Sequence, residues 1–364
     1  MLQTLLLTML LLTFAVTANA QTLVFGSGGE VGTLTEFGAA PGASLIFSPV
    51  RTGNYAIRLA PTSSGTAYVQ LPQSLLYSNR GHRFGLYIET LPSASEEIFY
   101  SESTVGVVGV SLRLNPNGTL SLFNNNSLAA DGITALAVGQ WYTIQLFTKN
   151  QGLAGAYGVK INGAEEFAAN QVFIQTSGNL TYFGKANNRN NGSYSVVIDD
   201  LRSEAQIISD YPADGHIIAR QGTSTAPTDN AFTKSPTLPI DGVWSDTPPN
   251  ISTNASSSGS GAAQTMRFAS SSLTGTLNEA WLVMSAHRES GPDCAVSFRR
   301  RVNGGAPIDT DAQVLTTTEQ FYISSGFTDT FANLDMTEGG VVRGSCKKQK
   351  TVVSDMWLMI DYLP

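Results

Sequence analysis

Asp199 and Asp200 stand side by side at the end of the apolar run Val196-Val197-Ile198, and they are the acid pair best placed to do chemistry. Successive strand residues point to opposite faces, so one of the two is driven inward and the other outward. A carboxylate removed from water needs a cation or several hydrogen-bond donors. Asp199 could instead cap backbone N–H groups while Asp200 stays solvated, and the residues alone leave both outcomes open. Glycosidic hydrolysis needs two carboxylates facing one cleft. Glu96-Glu97 and Glu102 come nearest, but adjacent residues face oppositely and the three do not alternate, so they are expected to be solvated loop charges. His82, His216 and His287 are far apart in sequence and offer no basis for a Ser/His/Asp or histidine-based metal site. The chain is therefore expected not to be an enzyme.

Binding of sugars asks for different side chains. Sugar rings stack on aromatic faces, and their hydroxyls seek amides and carboxylates. Tyr87, Tyr100, Tyr182 and the Asn-rich loop beginning at Asn187 are the candidates, each weighed against the commoner role of a strand aromatic as core. Arg299-Arg300-Arg301 cannot form one patch on a strand, because Arg300 faces away from its neighbours.

The elements that must position these residues are strands. Only 13% of the 364 residues are charged, and no long segment has a helical period. Tyr55, Ile57 and Leu59 alternate, as do Phe84, Leu86 and Ile88, with Tyr87 opposite. Val110-Ser111-Leu112-Arg113-Leu114 and Leu120-Ser121-Leu122 flank Pro116-Asn117-Gly118, a hairpin turn signal. The strand beginning Trp141-Tyr142-Thr143-Ile144-Gln145-Leu146 is apolar on both faces, which predicts a central strand covered on each side. Tyr157 to Asn162 ends in Asn162-Gly163, a second turn signal. About a dozen short strands in the first half suit an antiparallel sandwich.

Residues 2–20 carry an apolar run ending in Ala18-Asn19-Ala20, the pattern of a cleaved secretory signal. Export permits a disulfide between Cys294 and Cys346; two free, buried thiols are the other reading. A net charge of −7 argues against a nucleic-acid footprint.

The order Gly-Asn-Tyr-Ala-Ile-Arg-Leu (53–59), Gly-Gln-Trp-Tyr-Thr-Ile-Gln-Leu (139–146), Val-Lys-Ile-Asn-Gly (159–163) and Val-Val-Ile-Asp-Asp-Leu (196–201) resembles a laminin-G-like domain of the concanavalin-A-like jelly-roll class. The N-terminal Glu30-x-Gly32-x-Leu34-x-Glu36-Phe37 fits the same class. The resemblance covers residues 22–205. It implies structural calcium held by oxygen ligands, with Glu30 joining Asp199 and Asp200. The Glu-x-Asp-x-x-Glu run of the glucanase relatives has no match here. Residues 211–364 resemble, in arrangement only, the second sandwich of phage virion proteins.

The chain is thus expected to be all-β, with two jelly-roll-like β-sandwich domains in tandem. The expected boundaries are a signal at 1–20, a laminin-G-like domain at 21–206, a linker at 207–215 and a smaller sandwich at 216–364. The expected function is a secreted, non-enzymatic protein binding a glycan or another cell-surface ligand. The alternative is a structural protein of a virion or an extracellular assembly, with homo-oligomers as its form.

Overall fold

The computed structural model describes residues 22–72, 79–104, 107–149, 155–170, 180–186, 191–205, 211–224, 232–234, 251–253, 263–268, 273–288, 294–302, 308–335, 337–343 and 351–364. The first unit consists of β1 (Thr22–Ser27), β2 (Ala43–Ile46), β3 (Ala56–Leu59), β4 (Ala67–Gln70), β5 (Asn79–Thr90), β6 (Glu96–Thr104), β7 (Val107–Leu114), β8 (Leu120–Asn124), β9 (Ser127–Asp131), β10 (Trp141–Lys149), β11 (Ala156–Ile161), β12 (Ala164–Asn170), β13 (Thr181–Lys185) and β14 (Ser195–Ala205). One sheet runs β12-β11-β10-β5-β14-β3-β2, with β1 also on β14; the other runs β4-β13-β6-β7-β8-β9. Every pairing in both sheets is antiparallel.

Alternation explains how the two layers close. Phe84, Leu86 and Ile88 of β5 meet Ile144 and Leu146 of β10 in one core, facing Val69, Phe99, Leu112, Leu122 and Phe183 from the other sheet. Burying a side chain of this kind contributes about 1.5–3 kcal/mol. β10 lies between β5 and β11, the central position its two apolar faces predict. On its outer side Trp141 packs on Tyr87, with ring centroids 5.4 Å apart, and Phe147 meets Tyr211. Asn162 and Gly163 join β11 to β12 with φ of 51° and 79°, as a tight hairpin requires.

The second unit contains β15 (His216–Ser224), β16 (Phe232–Lys234), β17 (Ile251–Thr253), β18 (Ala263–Phe268), β19 (Thr276–Arg288), β20 (Cys294–Val302), β21 (Ile308–Leu315), β22 (Gln320–Ile323), α1 (Phe331–Asp335), β23 (Thr337–Arg343) and β24 (Thr351–Leu363). β15 turns a corner between layers: His216 to Gln221 pair with β24, and Gly222 to Ser224 pair with β18. Between the layers lie Leu282 and Met284 of β19, Phe298 of β20, Leu315 of β21, and Met356, Leu358 and Ile360 of β24. Arg300, the middle residue of the Arg run, lies over the Phe327 ring and bonds Asp329 at 3.3 Å.

The two units meet across a buried junction. Val31 of the first packs with Ile217, Trp281, Val283, Trp357 and Met359 of the second. Beside this apolar contact, Arg83 bonds Asp361 at 2.9 and 3.1 Å, and Arg202 bonds Asp361 at 2.6 Å and also Glu279. Residues 211–215, within the expected linker, are tied to the first sandwich. Gln145 donates to the Pro212 carbonyl at 2.6 Å, Arg83 donates to the Ala213 carbonyl at 2.7 Å, and Lys160 sits over the Tyr211 ring. Residues 1–20, 207–210 and Cys346 lie outside the described residues, as does the Cys294 side chain, so the expected signal and disulfide fall there too.

Candidate functional site

Two clusters gather the polar side chains that the core does not use. The first lies where β14 leaves the core. There the backbone has a register shift between Asp199 and Arg202 and a φ of +50° at Asp200, and both aspartates are fully buried. Strict alternation from the core residue Ile198 would point Asp200 into the core; the irregular backbone turns it instead toward Arg51, Thr52 and the second unit. Asp199 accepts N–H bonds from Arg51 at 2.8 Å, Thr52 at 3.2 Å and Asp200 at 2.7 Å. Asp200 accepts from the Arg51 guanidinium and the Thr52 hydroxyl, both at 3.1 Å. It also binds the second unit, through Ile217 N–H at 2.6 Å and His216 Nδ1 at 3.1 Å. Glu30 accepts N–H bonds from Asn54 and Tyr55 at 3.1 and 3.2 Å. The loop carrying these donors turns at Gly53, where an added Cβ would stand 2.1 Å from the Glu30 carboxylate.

So many buried acids in one place perturb each other. Burial, with a contribution from the Asp200 charge, raises the Glu30 pKa to about 7 against its backbone donors. Burial and the Glu30 charge raise Glu36 to about 8, although the Ser27 hydroxyl donates to it. Asp199 is raised well above the usual range, by burial first and then by Asp200.

Glu30, Asp199 and Asp200 are the residues that the resemblance assigns to calcium. Their donors are all oxygen, which suits a hard cation. As placed, however, Asp200 carries the Arg51 guanidinium, and among the described residues no three acidic, histidine or cysteine side chains converge as metal ligands. An ion would have to compete with Arg51 and with the N–H donors on Glu30 and Asp199.

The second cluster covers the outer face of the six-stranded sheet. Strand register lines up Gln70, Tyr182, Tyr100, Ser111 and Phe123 across β4, β13, β6, β7 and β8. A neighbouring row lines up Glu97, Arg113, Ser121 and Asp131 across β6 to β9. The Tyr100 and Tyr182 rings stack with centroids 5.2 Å apart, and Tyr68 meets Tyr182 edge-on at 5.3 Å. The Tyr182 hydroxyl donates to Glu102 at 3.2 Å. Burial, together with the charge and hydrogen bond of Glu102, pushes the Tyr182 pKa up. Arg113 lies over Phe123, 3.7 Å from its centroid, and comes within 4.0 Å of Glu97. Ser121 donates to Asp131 at 2.5 Å. Glu102 Oε2 and Ser111 Oγ are buried, with no hydrogen-bond partner among the described residues.

Two expectations are corrected here. Tyr100 and Tyr182 were expected as exposed platforms; they are 2% and 8% exposed because they shield each other, and Tyr68, Gln70 and Phe123 form the more open margin. Glu97 and Glu102 were expected to be solvated and out of phase. They are buried and share one face, because a bulge between Glu97 and Phe99 places Ile98 and Phe99 both in the core. Tyr100 stands between the two carboxylates on β6. Tyr87 lies away from this face, half-buried beside Trp141 on the outside of the other sheet. Asn187 lies outside the described residues. Among the histidines, His82 bonds Ser203 at 2.9 Å inside the core, where burial and then Arg80 lower its pKa to about 3.

No family model matches the chain, and no curated protein does. Solved structures share its β-sandwich layers. An endo-β-1,4-glucuronan lyase from the fungus Trichoderma reesei is 13% identical, over 53% of this chain and 100% of its own, with a TM-score of 0.42. Domain 4 of an extracellular arabinanase from Geobacillus stearothermophilus, in complex with arabinotriose, is 17% identical, over 51% and 93%, with a TM-score of 0.39. A carbohydrate esterase from the Shiga toxin-encoding bacteriophage phi24B is 14% identical, over 52% and 100%, with a TM-score of 0.38. At these values no substrate and no residue role passes to this chain.

Proposed function

We propose that this chain is an exported, non-enzymatic protein whose first sandwich binds carbohydrate, or a related hydroxyl-rich surface ligand, on the outer face of the six-stranded sheet. The observation that carries the reading is the half-exposed margin of the five-strand row, where Tyr68, Gln70 and Phe123 border the stacked Tyr100 and Tyr182. The non-enzymatic part rests on Tyr100 standing between the two carboxylates, where a glycosidase would seat the bond to be cleaved.

A glycan array probed with the full chain tests the reading. Binding is expected, and Tyr68→Ala at the half-buried margin is expected to weaken it about tenfold with the fold intact by circular dichroism. A blank array with correctly folded protein would discard it.

Calcium remains a proposal for the acidic cluster, with Glu30, Asp199 and Asp200 as the residues that would hold it. When bound, it would supply positive charge to carboxylates that otherwise keep protons.

The second reading is a structural part of a virion or extracellular assembly. The buried junction favours it, since two sandwiches fixed to one another suit a packing module. Discrete oligomers or particles of the full chain on size-exclusion chromatography, together with a blank array, would select this reading.

A further inference from the structure

We propose that the chain carries a second sugar-binding face, on the outside of the eight-stranded sheet, where Trp141 and Tyr87 seat a neutral sugar ring and the Arg58–Glu89 pair takes its hydroxyls. The proposal shares the carbohydrate-binding reading above but not its site, since it places a ligand on the opposite sheet.

Most of this outer face is already covered. Along β10, Thr143, Gln145 and Phe147 alternate with the core residues and are buried all the same. Arg51 donates to Thr143 at 2.6 Å, Gln145 donates to the Pro212 carbonyl, and Tyr211 lies against Phe147. Trp141, next in the same alternation, stays half-exposed, as does Tyr87 beside it. The Trp141 ring extends over Gly85, where an added Cβ would stand 3.3 Å from it, and it leans on Tyr87 with centroids 5.4 Å apart. Ile46, Ala56 and Val197 support the pair from the sheet. Aromatic rings fixed in this way, with part of their surface in water, let a sugar ring stack without first ordering the protein.

Polar partners stand on the same face and are also within reach of water. Strand register runs Trp141, Tyr87, Val197 and Arg58 in one row across β10, β5, β14 and β3. Glu89 follows Tyr87 by two residues, hence on the same face and about 7 Å along the strand. Arg58 grips Glu89 through Nε and Nη2, and Ser195 donates to the same carboxylate. Nη1 takes no part in that grip, and the Arg58 and Glu89 side chains are 38% and 21% exposed. A donor and an acceptor are thus held side by side, which suits two neighbouring sugar hydroxyls, because each hydroxyl both donates and accepts. The two charges compensate each other, so neither a uronate nor an ammonium group gains a net partner from the pair. The ligand that fits is a neutral glycan.

The test titrates cellohexaose, xylohexaose, mannohexaose and maltohexaose into the full chain, followed by tryptophan fluorescence and by calorimetry. Trp281 and Trp357 are buried, whereas Trp141 would lie under the sugar, so a saturable fluorescence change is expected with at least one of these sugars and is expected to vanish in Trp141→Phe. By calorimetry, Trp141→Ala is expected to weaken that sugar at least about tenfold and Glu89→Ala about fivefold, with circular-dichroism melts checking each fold. Glu89 is half-exposed, so its variant carries the test even where Trp141→Ala does not fold. Raising the salt concentration is expected to change the affinity less than about twofold, as befits an uncharged ligand. A fluorescence change that persists in Trp141→Phe, or an affinity unmoved in Glu89→Ala, would overturn the site. So would a proline-rich peptide that saturates the signal where the sugars do not. Silent fluorescence with calorimetric binding lost in Tyr68→Ala would overturn this face and leave the six-stranded one standing; no binding by either method would end both.

Discussion

Arg202 and Asp361 form an ion pair at 2.6 Å between the strand that closes the first sandwich and the last strand of the second, with both side chains buried. Arg83 reaches the same carboxylate, and Glu204 and Glu279 flank Arg202. Burial alone would lower the Arg202 pKa; the three acids outweigh it and hold the guanidinium above its usual value. Two arginines and three acids thus form a closed network at the junction. Removing one member of such a network leaves an uncompensated buried charge, which costs more than the intact pair contributes.

Arg202→Met is therefore expected to destabilise the full chain by about 3–5 kcal/mol in equilibrium urea unfolding. Residues 21–206 made alone are expected to melt below the full chain, since Val31, Arg83 and Arg202 would lose their partners. A loss under about 1 kcal/mol in the first experiment would show that the network is solvated in practice.

Stability should fall as pH rises through neutrality. Glu30 and Glu36 have folded-state pKa values of about 7 and about 8, against an ordinary 4.5. Between the ordinary value and these, the folded chain retains protons that the unfolded chain has released. The folded state is then favoured at the acid end of that window, and the advantage is lost on the way to about pH 8. Glu89 and Glu166 have lowered values, because the bonds from Arg58 and Ser195, and from Ile133 and Thr134, outweigh their burial. Their contribution runs the other way and is lost only as pH falls below about 4.5. Melting midpoints are expected to decline from pH 5 to pH 8, and Glu36→Gln is expected to flatten the decline.

The same window serves the calcium proposal. Glu30, with a pKa of about 7, is mostly ionised at pH 8 and mostly protonated at pH 5, so an added ion would have more to gain at pH 8. If calcium binds, the melting midpoint at pH 8 should rise with the ion and drop with a chelator, by more than at pH 5. Midpoints indifferent to both at pH 8 would end the proposal.

Two glycines with similar dihedrals should respond differently to alanine. Gly53 and Gly163 have φ of 71° and 79°, but an added Cβ meets the Glu30 carboxylate at the first and nothing within 4 Å at the second. Gly163→Ala is expected to cost about 1 kcal/mol, the strain of a positive φ alone. Gly53→Ala is expected to cost at least twice that, because Glu30 must leave its backbone donors. Equal losses in chemical denaturation would mean that the loop shifts freely around Glu30.

Much of the first sandwich was legible because its strands obey simple alternation. Phe84-x-Leu86-x-Ile88 and the strand from Trp141 show their buried faces in sequence, and Asn162-Gly163 marks its own turn. The candidate site was less legible for one physical reason in several places: its residues depart from period two. The bulge at Ile98 put Glu97 and Glu102 on one face, and the shift after Asp199 turned Asp200 away from the core toward the second unit. Arg202-Ser203-Glu204 is polar in sequence, yet β14 continues through it and buries all three residues. Their partners, Glu279 and Asp361, stand far along the chain, and nothing local in sequence connects them.

β14 also bears on how this protein can be rebuilt. Its first half belongs to the core of the first sandwich, while Asp200 and Arg202 in its second half grip the other unit through Ile217, His216, Glu279 and Asp361. A splice made between the two sandwiches would part residues that have to be inherited together. The second sandwich is thus not an interchangeable cassette: a graft onto another jelly roll would need equivalents of Arg83, Asp200 and Arg202 waiting for it, and a homologue that changes one side of the junction should change the other.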